Sequence, residues 1–530
     1  MRCVSHHWKE GNPITRAFPA ASARYVLLAA IIALAVWLRL RHAAQSLVYD
    51  EMAALYFSGQ SWRNLWGWWM VRETNPPLFY ALLKLWRMIV PMGHWGLRAL
   101  PLAVGFAQLA LFGWWLRVRL GWGAALLGLL LMAVVWSDIY QAAYLRGYGL
   151  ARLAVLVSFI GLIEAERHAW RGWLLYGGGA VVAIYCHTTM LLWPVIALLA
   201  VLGDVLLGRD WRWRPLAALI AANVAIMVAS GWVLVIAAVQ LRSAAASNIA
   251  WLTPLSWRDF ASSANLQLLT GGTVSAALMA ALMALGLWRA RRQRMVRLAT
   301  AIVIATLVLF KATDAIHPII SDYTLHWCFS FTALIAAAAL PAGVGGEDPA
   351  HRLLRHASAL AVIAAMALAG LTDLLVIDYI GQPQDWRYTV RTVAQDRGAV
   401  LLASHESIGV VIEQSCLVEF GSTRCPFSLV VMADPRPTDN WAKGGYHGRL
   451  VQPAGVRAAL GGAGRVYAFG RYYYVPLQHL GLDPARWGQV FWDDGELVGP
   501  VPARAFDPPA PHPPDPDAQY TGAPDPDDQA

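Results

Sequence analysis

The sequence predicts a polytopic α-helical membrane protein with about 11 spans, and at most 13, that carries a small C-terminal α/β domain. Of its 530 residues, 58% are hydrophobic and only 14% are charged, which is far too apolar for a soluble chain. Its 26 tryptophans fit a membrane–water interface, where indole rings collect. The net charge of +9 comes mostly from arginines between apolar runs, so membrane topology explains it and no nucleic-acid partner is expected.

The first apolar run, Tyr25–Leu40, is long enough to remain as a membrane anchor. The leader before it, Met1–Arg24, is basic and is therefore expected in the cytoplasm. Two adjacent carboxylates, Asp50 and Glu51, follow the outer end of this span. The next stretch, Met52–Met70, is rich in Trp and Leu and is predicted to form helices on the membrane surface.

The next apolar run, Leu78–Val90, is short and contains Lys84 and Arg87, which predicts a surface or partly inserted helix. With this helix outside the bilayer, the basic clusters at 117–119, 167–171, 209–214, 289–297 and 352–355 all fall in the cytoplasm, in agreement with the positive-inside rule. Ten later spans are predicted. The first two are Leu97–Leu116 and Trp122–Trp136, and the last is Ala359–Ile377. The seven spans between them end near Ile163, at Tyr185, before Arg209, at Val239, before Arg289, near Lys311 and before Arg352.

The odd number of spans places the chain after residue 377 outside the cytoplasm. Residues 378–502 are predicted to form the α/β domain, and the Pro- and Asp-rich tail 503–530 is predicted to be disordered. Cys416 and Cys425 form either a disulfide or two thiols if this domain is exported, whereas Cys186 and Cys328 lie in apolar runs and are expected to pack there. The predicted elements are a helix at Gln384–Asp396 and strands at Ala399–Ala403, Ser428–Met432 and Arg465–Phe469.

Polar residues recur where predicted outer loops meet spans. Asp50 and Glu51 are either a solvated flank of the first span or the start of an active site, in which one carboxylate acts as a general base. Arg146, with Tyr148 beside it, either reaches lipid headgroups or binds a phosphate. His187 is either an interface residue or a further donor to that phosphate.

Weaker candidates for the same phosphate are Lys84, Arg87 and Lys311. The sequence contains no spacing typical of a metal site, such as HExxH or paired CxxC, so no metal ligands are predicted. Nucleotide hydrolysis and serine chemistry are not supported either, because the Walker A and GxSxG patterns are absent.

In their order along the chain, these residues resemble the GT-C glycosyltransferases, and most closely the protein O-mannosyltransferase, aminoarabinose transferase and RgtA/B/C/D-like families. Two positions depart from the family pattern: Tyr144 stands where an acidic residue is common, and the late outer loop 321–323 lacks an Arg. The segments that carry the resemblance are Asp50-Glu51, Thr74-Asn75-Pro76-Pro77-Leu78-Phe79-Tyr80, Arg146-Gly147-Tyr148-Gly149-Leu150, Tyr185-Cys186-His187-Thr188 and Gln384-Asp385-Trp386-Arg387.

The resemblance implies transfer of a sugar from a polyprenyl-phosphate donor to an acceptor hydroxyl at the periplasmic face of a bacterial inner membrane. The acceptor is a glycan, a lipid or a protein. A lipid-phosphate leaving group needs positive charge rather than a proton, and Arg146 and His187 are expected to supply it. Asp50 is the expected base and Glu51 positions it, which suits a single displacement with inversion.

Four further residues, Asn75, Pro76, Asp322 and Tyr323, are expected to position the acceptor or its loops. No cofactor is expected with certainty, although some relatives of this type use a divalent ion. Two alternatives stay open. A transporter or flippase for a lipid-linked saccharide would place charges deep in the spans and favour an internal repeat. A scaffold protein would tolerate alanine in the outer clusters.

Overall fold

The computed structural model describes residues 20–165, 169–208, 213–241, 252–321, 323–340, 385–433, 441–461, 463, 465–470, 489–492 and 495–501. Short 3-10 helices occur at Trp68–Arg72, Thr188–Leu192 and His326–Cys328. The α-helices up to residue 340 are α1 (Ala20–Ala43), α2 (Tyr49–Gly59), α3 (Trp62–Leu65), α4 (Leu78–Trp86), α5 (His94–Leu120), α6 (Trp122–Val134), α7 (Trp136–Ala143), α8 (Tyr148–Glu164), α9 (Ala169–Cys186), α10 (Trp193–Gly208), α11 (Trp213–Ala229), α12 (Gly231–Gln240), α13 (Trp257–Leu268), α14 (Thr273–Ala290), α15 (Arg294–Ile316) and α16 (Phe329–Ala337).

The helical part is that of a multi-pass membrane protein. Among the described residues, four helical segments are long and apolar enough to cross a bilayer, and two further pairs qualify if each bent pair is one span. The count of 11 spans stays a prediction, because the last predicted span and the end of the one before it lie outside the described residues. The four segments are His94–Leu120, Thr188–Leu206, Thr273–Ala290 and Arg294–Ile316.

Two of the predicted spans differ in shape from the expectation. The run predicted as one span over Leu216–Val239 is broken at Ser230, where α11 and α12 meet at 65°. The polar stretch predicted as a break after Trp136 is helical and forms α7, which turns 69° away from α6. Val135, in an extended conformation between α6 and α7, produces this bend. The bend directs α7 towards the Arg146 turn.

The first outer loop contains short helices, as predicted. The buried face of α2 includes Leu55 and Phe57, and α4 packs against α2. With nine residues, α4 is too short to span a membrane. Met88 and Ile89, just beyond its end, are largely exposed, as expected of a helix at the bilayer surface.

The C-terminal region contains one mixed six-stranded sheet with the strand order β3-β2-β1-β4-β6-β5. The first four strands of this order are parallel to one another, and β6 is antiparallel to both of its neighbours, β4 and β5. Strands and a helix are present where the sequence predicts them. The elements are α17 (Trp386–Gln395), β1 (Val400–Ala403), α18 (Glu406–Phe420), β2 (Ser428–Met432), β3 (Leu450–Val451), α19 (Val456–Leu460), β4 (Val466–Gly470), β5 (Gln489–Trp492) and β6 (Gly495–Val501).

The sequence leaves two alternatives open for Cys416 and Cys425, and the structure shows the disulfide. Cys416 on α18 and Cys425 after it form a disulfide with a Cα–Cα distance of 5.3 Å. Cys186 and Cys328 are free and buried. The predicted disordered tail 503–530 lies outside the described residues.

The C-terminal region packs directly on α2. The Tyr49 hydroxyl donates to Ser407 Oγ at 2.7 Å, and Trp441 Nε1 donates to the Tyr49 oxygen at 3.3 Å. One hydrophobic core joins α2 residues such as Phe57 with α18 residues such as Ile408. The N-terminus of α2, with its two carboxylates, is therefore held between the helical bundle and the α/β region.

A buried polar network joins the helices beneath this end of the bundle. Arg39 Nη2 donates to Asp138 Oδ2 at 2.5 Å, and Arg152 contacts both the other oxygen of Asp138 and the His326 ring. Arg152 Nε also donates to Gln108 at 2.6 Å. The charged groups of this network are paired and ordered, so it serves as a structural connection between α1, α7, α8 and the His326 segment.

Candidate active site

The two carboxylates at the start of α2 lie in different environments. Asp50 and Glu51 occupy the first turn of the helix, where the helix dipole favours negative charge. The Asp50 side chain is 40% exposed, whereas that of Glu51 is 1% exposed. Neighbouring carboxylates in such different surroundings can take different roles.

Glu51 is a structural anchor. Arg98 donates two hydrogen bonds to its carboxylate, from Nε to Oε1 at 3.0 Å and from Nη2 to Oε2 at 2.5 Å. The backbone N–H groups of Val48 and Leu145 donate to the same carboxylate at 3.0 and 2.9 Å. Glu51 therefore connects α2 to α5 and to the turn that carries Arg146, which fits the positioning role expected of it.

Arg146 lies in the turn between α7 and α8 and faces two carboxylates. Its Nη2 is 3.9 Å from Asp50 Oδ1, and its Nη1 is 3.7 Å from Glu73 Oε1. Nη1 also donates to the Tyr80 hydroxyl at 2.9 Å. The residue is only 7% exposed, and its buried Nε has no hydrogen-bond partner among the described residues. The turn thus presents a guanidinium with one donor still to be satisfied.

Glu73 was not predicted from the sequence. Its Oε1 accepts hydrogen bonds from the Asn75 backbone N–H at 3.1 Å, from Asn75 Nδ2 at 3.0 Å and from the Tyr80 hydroxyl at 2.9 Å. Asn75, predicted to position the acceptor or a loop, therefore holds this buried carboxylate, and Pro76 is buried in the turn that follows. The signal in the sequence was one acidic residue directly before the Thr74–Tyr80 segment.

His187 lies beside this cluster through Tyr148, with ring centroids 4.9 Å apart. Its Nδ1 is 2.7 Å from the Thr189 hydroxyl. Burial, and then the charge of Arg146, lowers the pKa of His187 to about 3. These surroundings favour the neutral ring, which can offer a hydrogen bond, and the contribution of His187 to a bound phosphate stays a prediction.

Gly147 allows the Arg146 turn and the His187 turn to meet. A Cβ at this position would lie 2.6 Å from the carbonyl oxygen of Cys186 and 3.4 Å from the Cβ of Phe79. Because both neighbours belong to packed helices, only a residue without a side chain fits here. This close approach brings Tyr148 against the His187 ring.

Four tyrosines form a stack over the Asp50 side of the site. Tyr144 is 6.0 Å from Tyr148 and 5.4 Å from Tyr323 between ring centroids, and Tyr140 is 6.1 Å from Tyr323. The Tyr144 hydroxyl donates to Asp50 Oδ2 at 3.0 Å. Tyr323 thus lies at the site as predicted, whereas Asp322 lies outside the described residues.

The two predicted lysines make their contacts elsewhere. Lys84 Nζ donates to the Gln60 carbonyl oxygen at 2.9 Å and lies over the Trp62 ring. Lys311 Nζ donates to the Leu255 carbonyl oxygen and is 3.6 Å from Asp314. A phosphate-binding role for either lysine stays a prediction. Within the described ranges, no cluster of three His, Cys, Asp or Glu residues is placed to hold a metal ion.

A multi-pass helical bundle with an outer-loop carboxylate, a buried arginine and a C-terminal α/β region defines a class: the chain has the fold of the GT-C glycosyltransferases. The resemblance predicted from the motifs is confirmed at the level of the fold.

Among the solved structures that this chain resembles is ArnT, an aminoarabinose transferase, from Cupriavidus metallidurans. Its apo crystal structure matches with a TM-score of 0.60 and 16% identity, covering 92% of this chain and 100% of that chain. The structure of ArnT bound to undecaprenyl phosphate matches with a TM-score of 0.57 and 16% identity, covering 91% and 98%. No protein-family model and no curated protein sequence matches the chain.

Proposed function

We propose that the protein is a membrane glycosyltransferase that moves a sugar from a polyprenyl-phosphate donor to an acceptor hydroxyl at the periplasmic face of a bacterial inner membrane. The observation that carries this proposal is the pairing of a half-exposed carboxylate, Asp50, with a buried guanidinium, Arg146. The fold supports it, because ArnT, which shares the fold, binds undecaprenyl phosphate.

In the proposed reaction, Asp50 accepts the proton of the acceptor hydroxyl. The acceptor oxygen forms a bond to the anomeric carbon of the sugar while the bond from that carbon to the phosphate oxygen breaks. The polyprenyl phosphate leaves with the bonding electron pair. Arg146 stabilises the developing charge on the phosphate and needs no proton to do so.

The surrounding residues hold these two groups in place. Glu73 and Tyr80 contact the guanidinium of Arg146, and Glu51 connects the helix of Asp50 to the Arg146 turn. Tyr148 and the neutral His187 line the same side. Since Glu73 is buried and its Oε1 already accepts three hydrogen bonds, Asp50 is the accessible carboxylate among the described residues of the site, which favours a single displacement with inversion.

The test is to incubate the purified full-length protein in nanodiscs with a panel of undecaprenyl-phosphate sugars and lipid, glycan and peptide acceptors. Mass spectrometry then detects the undecaprenyl phosphate that is released. We expect release with the wild-type protein and a loss of roughly 100-fold or more in Asp50→Asn, because a general base contributes about that much. Asp259→Asn, an exposed carboxylate on α13, is the matched control and should behave as wild type.

Two results would overturn the proposal. Full activity of Asp50→Asn would remove the assignment of the base. A wild-type protein that moves the lipid-linked sugars across the bilayer but consumes none of them would instead support the flippase alternative.

A further inference from the structure

The tyrosine stack contacts the proposed base through a single hydrogen bond. We propose that Tyr144 is a positioning residue that fixes the orientation of the Asp50 carboxylate. This inference rests on the proposed function, in which Asp50 is the base. It assigns a role to one of the two positions at which the sequence departs from the pattern of the glycosyltransferases it resembles.

The hydrogen bond distinguishes the two oxygens of Asp50. The Tyr144 hydroxyl donates to Oδ2 at 3.0 Å, while Oδ1 is 3.9 Å from Arg146 Nη2. A carboxylate that is 40% exposed would otherwise rotate about its terminal bond, because water would solvate either orientation equally. With Oδ2 held by the phenol, Oδ1 and the remaining lone pairs are left to accept the proton of an acceptor hydroxyl.

The Tyr144 ring is itself fixed from several sides. It is 4% exposed and packs against Tyr140 at 5.1 Å, Tyr148 at 6.0 Å and Tyr323 at 5.4 Å. Tyr323 comes from a different part of the chain from the other three tyrosines. Two segments of the bundle must therefore be in place before the hydroxyl of Tyr144 can reach Asp50.

The polar network beneath the stack holds both of these segments. Asp138 lies on α7 two residues before Tyr140, and His326 lies three residues after Tyr323. Arg152 contacts both Asp138 and His326. The Leu325 backbone N–H donates to Gln267 Oε1 at 2.7 Å, which fixes the second segment further. The network thus gives the stack a defined geometry.

A phenol suits this role for a chemical reason. A neutral donor orients a carboxylate without cancelling its charge, whereas a lysine or arginine at the same distance would compete with the substrate proton for it. Tyr144 touches neither donor nor acceptor in this scheme, so it acts through Asp50.

The first test measures how readily the carboxyl group of Asp50 reacts, independently of any substrate. The folded full-length protein is treated with a carbodiimide and glycine ethyl ester, and peptide mass spectrometry measures labelling of Asp50 over time. Loss of the phenol donor leaves the carboxyl group free to rotate and open to the reagent, so Tyr144→Phe should label about threefold faster or more. Tyr140→Phe, which removes a hydroxyl from the same stack, should label at the wild-type rate.

The second test uses the undecaprenyl-phosphate sugar that the wild-type protein consumes. Tyr144→Phe should lower kcat about tenfold with KM unchanged. A purely structural role would instead lower the stability of the variant and leave kcat per folded molecule unchanged. Asp50→Glu displaces the carboxylate by one methylene without altering the stack, and should reproduce the fast labelling even if Tyr144→Phe folds poorly.

The outcomes separate the two proposals. The positioning role is overturned if a well-folded Tyr144→Phe labels at the wild-type rate, or if both Tyr144→Phe and Asp50→Glu do so. This conclusion holds even when Asp50→Asn is inactive. Fast labelling in Tyr144→Phe together with an active Asp50→Asn leaves the hydrogen bond real but overturns Asp50 as the base.

Discussion

The Arg146 guanidinium should be essential for two reasons: it stabilises the fold of the site, and it binds the phosphate of the donor. Replacing it in Arg146→Met keeps most of the side-chain volume and removes the charge. Glu73, which is 5% exposed, then loses its cationic neighbour in an environment that water barely reaches. Tyr80 also loses the donor to its hydroxyl oxygen.

The size of the effect follows from the Glu73 contact. At 3.7 Å and an effective dielectric constant of about 20, the Coulomb attraction is about 4 kcal/mol, before the cost of desolvation. Removing one partner of a buried pair typically costs about 3–5 kcal/mol. The longer contact to the half-exposed Asp50 adds little. We expect Arg146→Met to lower the free energy of unfolding by about 3 kcal/mol.

A double-mutant cycle separates the two roles. Adding Glu73→Gln to Arg146→Met removes the unpaired buried charge, so about 2 kcal/mol of the lost stability should return, measured by SDS titration in bicelles. Binding of undecaprenyl phosphate should be lost in both variants and should not return with stability. Arg146→Lys should keep partial binding, because it retains a charge but not the forked geometry.

Two results would refute this reasoning. An Arg146→Met variant as stable as the wild type, with no coupling to Glu73, would mean that the contact contributes nothing to the fold. Restored undecaprenyl phosphate binding in the double variant would mean that Arg146 acts only through the structure of the site.

Two further predictions concern the turn at Gly147 and the contact of α5 with the helices α17 and α18. Gly147→Ala should lower the free energy of unfolding by about 1–3 kcal/mol and reduce transfer activity, because its Cβ would lie 2.6 Å from a carbonyl oxygen of the neighbouring turn. Gly203→Ala, with open space around it, is the control in thermal unfolding. Equal stability of the two variants would contradict the steric argument. The pKa of Glu419 is lowered from 4.5 because hydrogen bonds and charge from His94 and Arg391 outweigh the effect of burial, which raises it. A lowered pKa in the folded state stabilises this contact above pH 4.5, and the stabilisation is lost as the pH falls below that value. Hydrogen exchange at residues 385–395 should therefore accelerate below pH 4.5, and Glu419→Gln should abolish this pH dependence. An unchanged pH dependence in Glu419→Gln would assign the effect to another group.

Asp50 and Arg146 could be predicted as site candidates because each is a charged residue at a position where the apolar pattern of the sequence does not require one. Asp50 follows an apolar run that needs no charge at its end, and Arg146 stands where a loop meets a span. Such positions are costly near lipid and point to function. The fold class followed for the same reason, since apolar runs of span length leave few alternatives.

Glu73 and Arg98 were missed for different reasons. A single glutamate before two prolines looks like any loop residue, and only the folded chain shows Tyr80 and Asn75 converging on it. Arg98 lies near the start of α5, where basic residues commonly flank a span. Its two hydrogen bonds to Glu51 depend on a contact between residues 47 positions apart, which no local pattern reveals.

The tyrosine stack was partly visible in the sequence. Trp136, Tyr140, Tyr144 and Tyr148 recur every four residues, but α7 ends at Ala143, so helical spacing accounts only for Trp136 and Tyr140. Their partner Tyr323 lies far along the chain, so the stack itself could not be predicted. The bends at Val135 and Ser230 were also missed, because apolar composition alone does not distinguish a straight span from a broken one.

The most direct measurement is an experimental structure of the full-length protein with undecaprenyl phosphate bound. The account predicts the phosphate within hydrogen-bonding distance of the Arg146 guanidinium, with the exposed side of Asp50 facing the position that the sugar would occupy. A phosphate bound at Lys84 or Lys311, with Arg146 still engaged only by Glu73 and Tyr80, would contradict it.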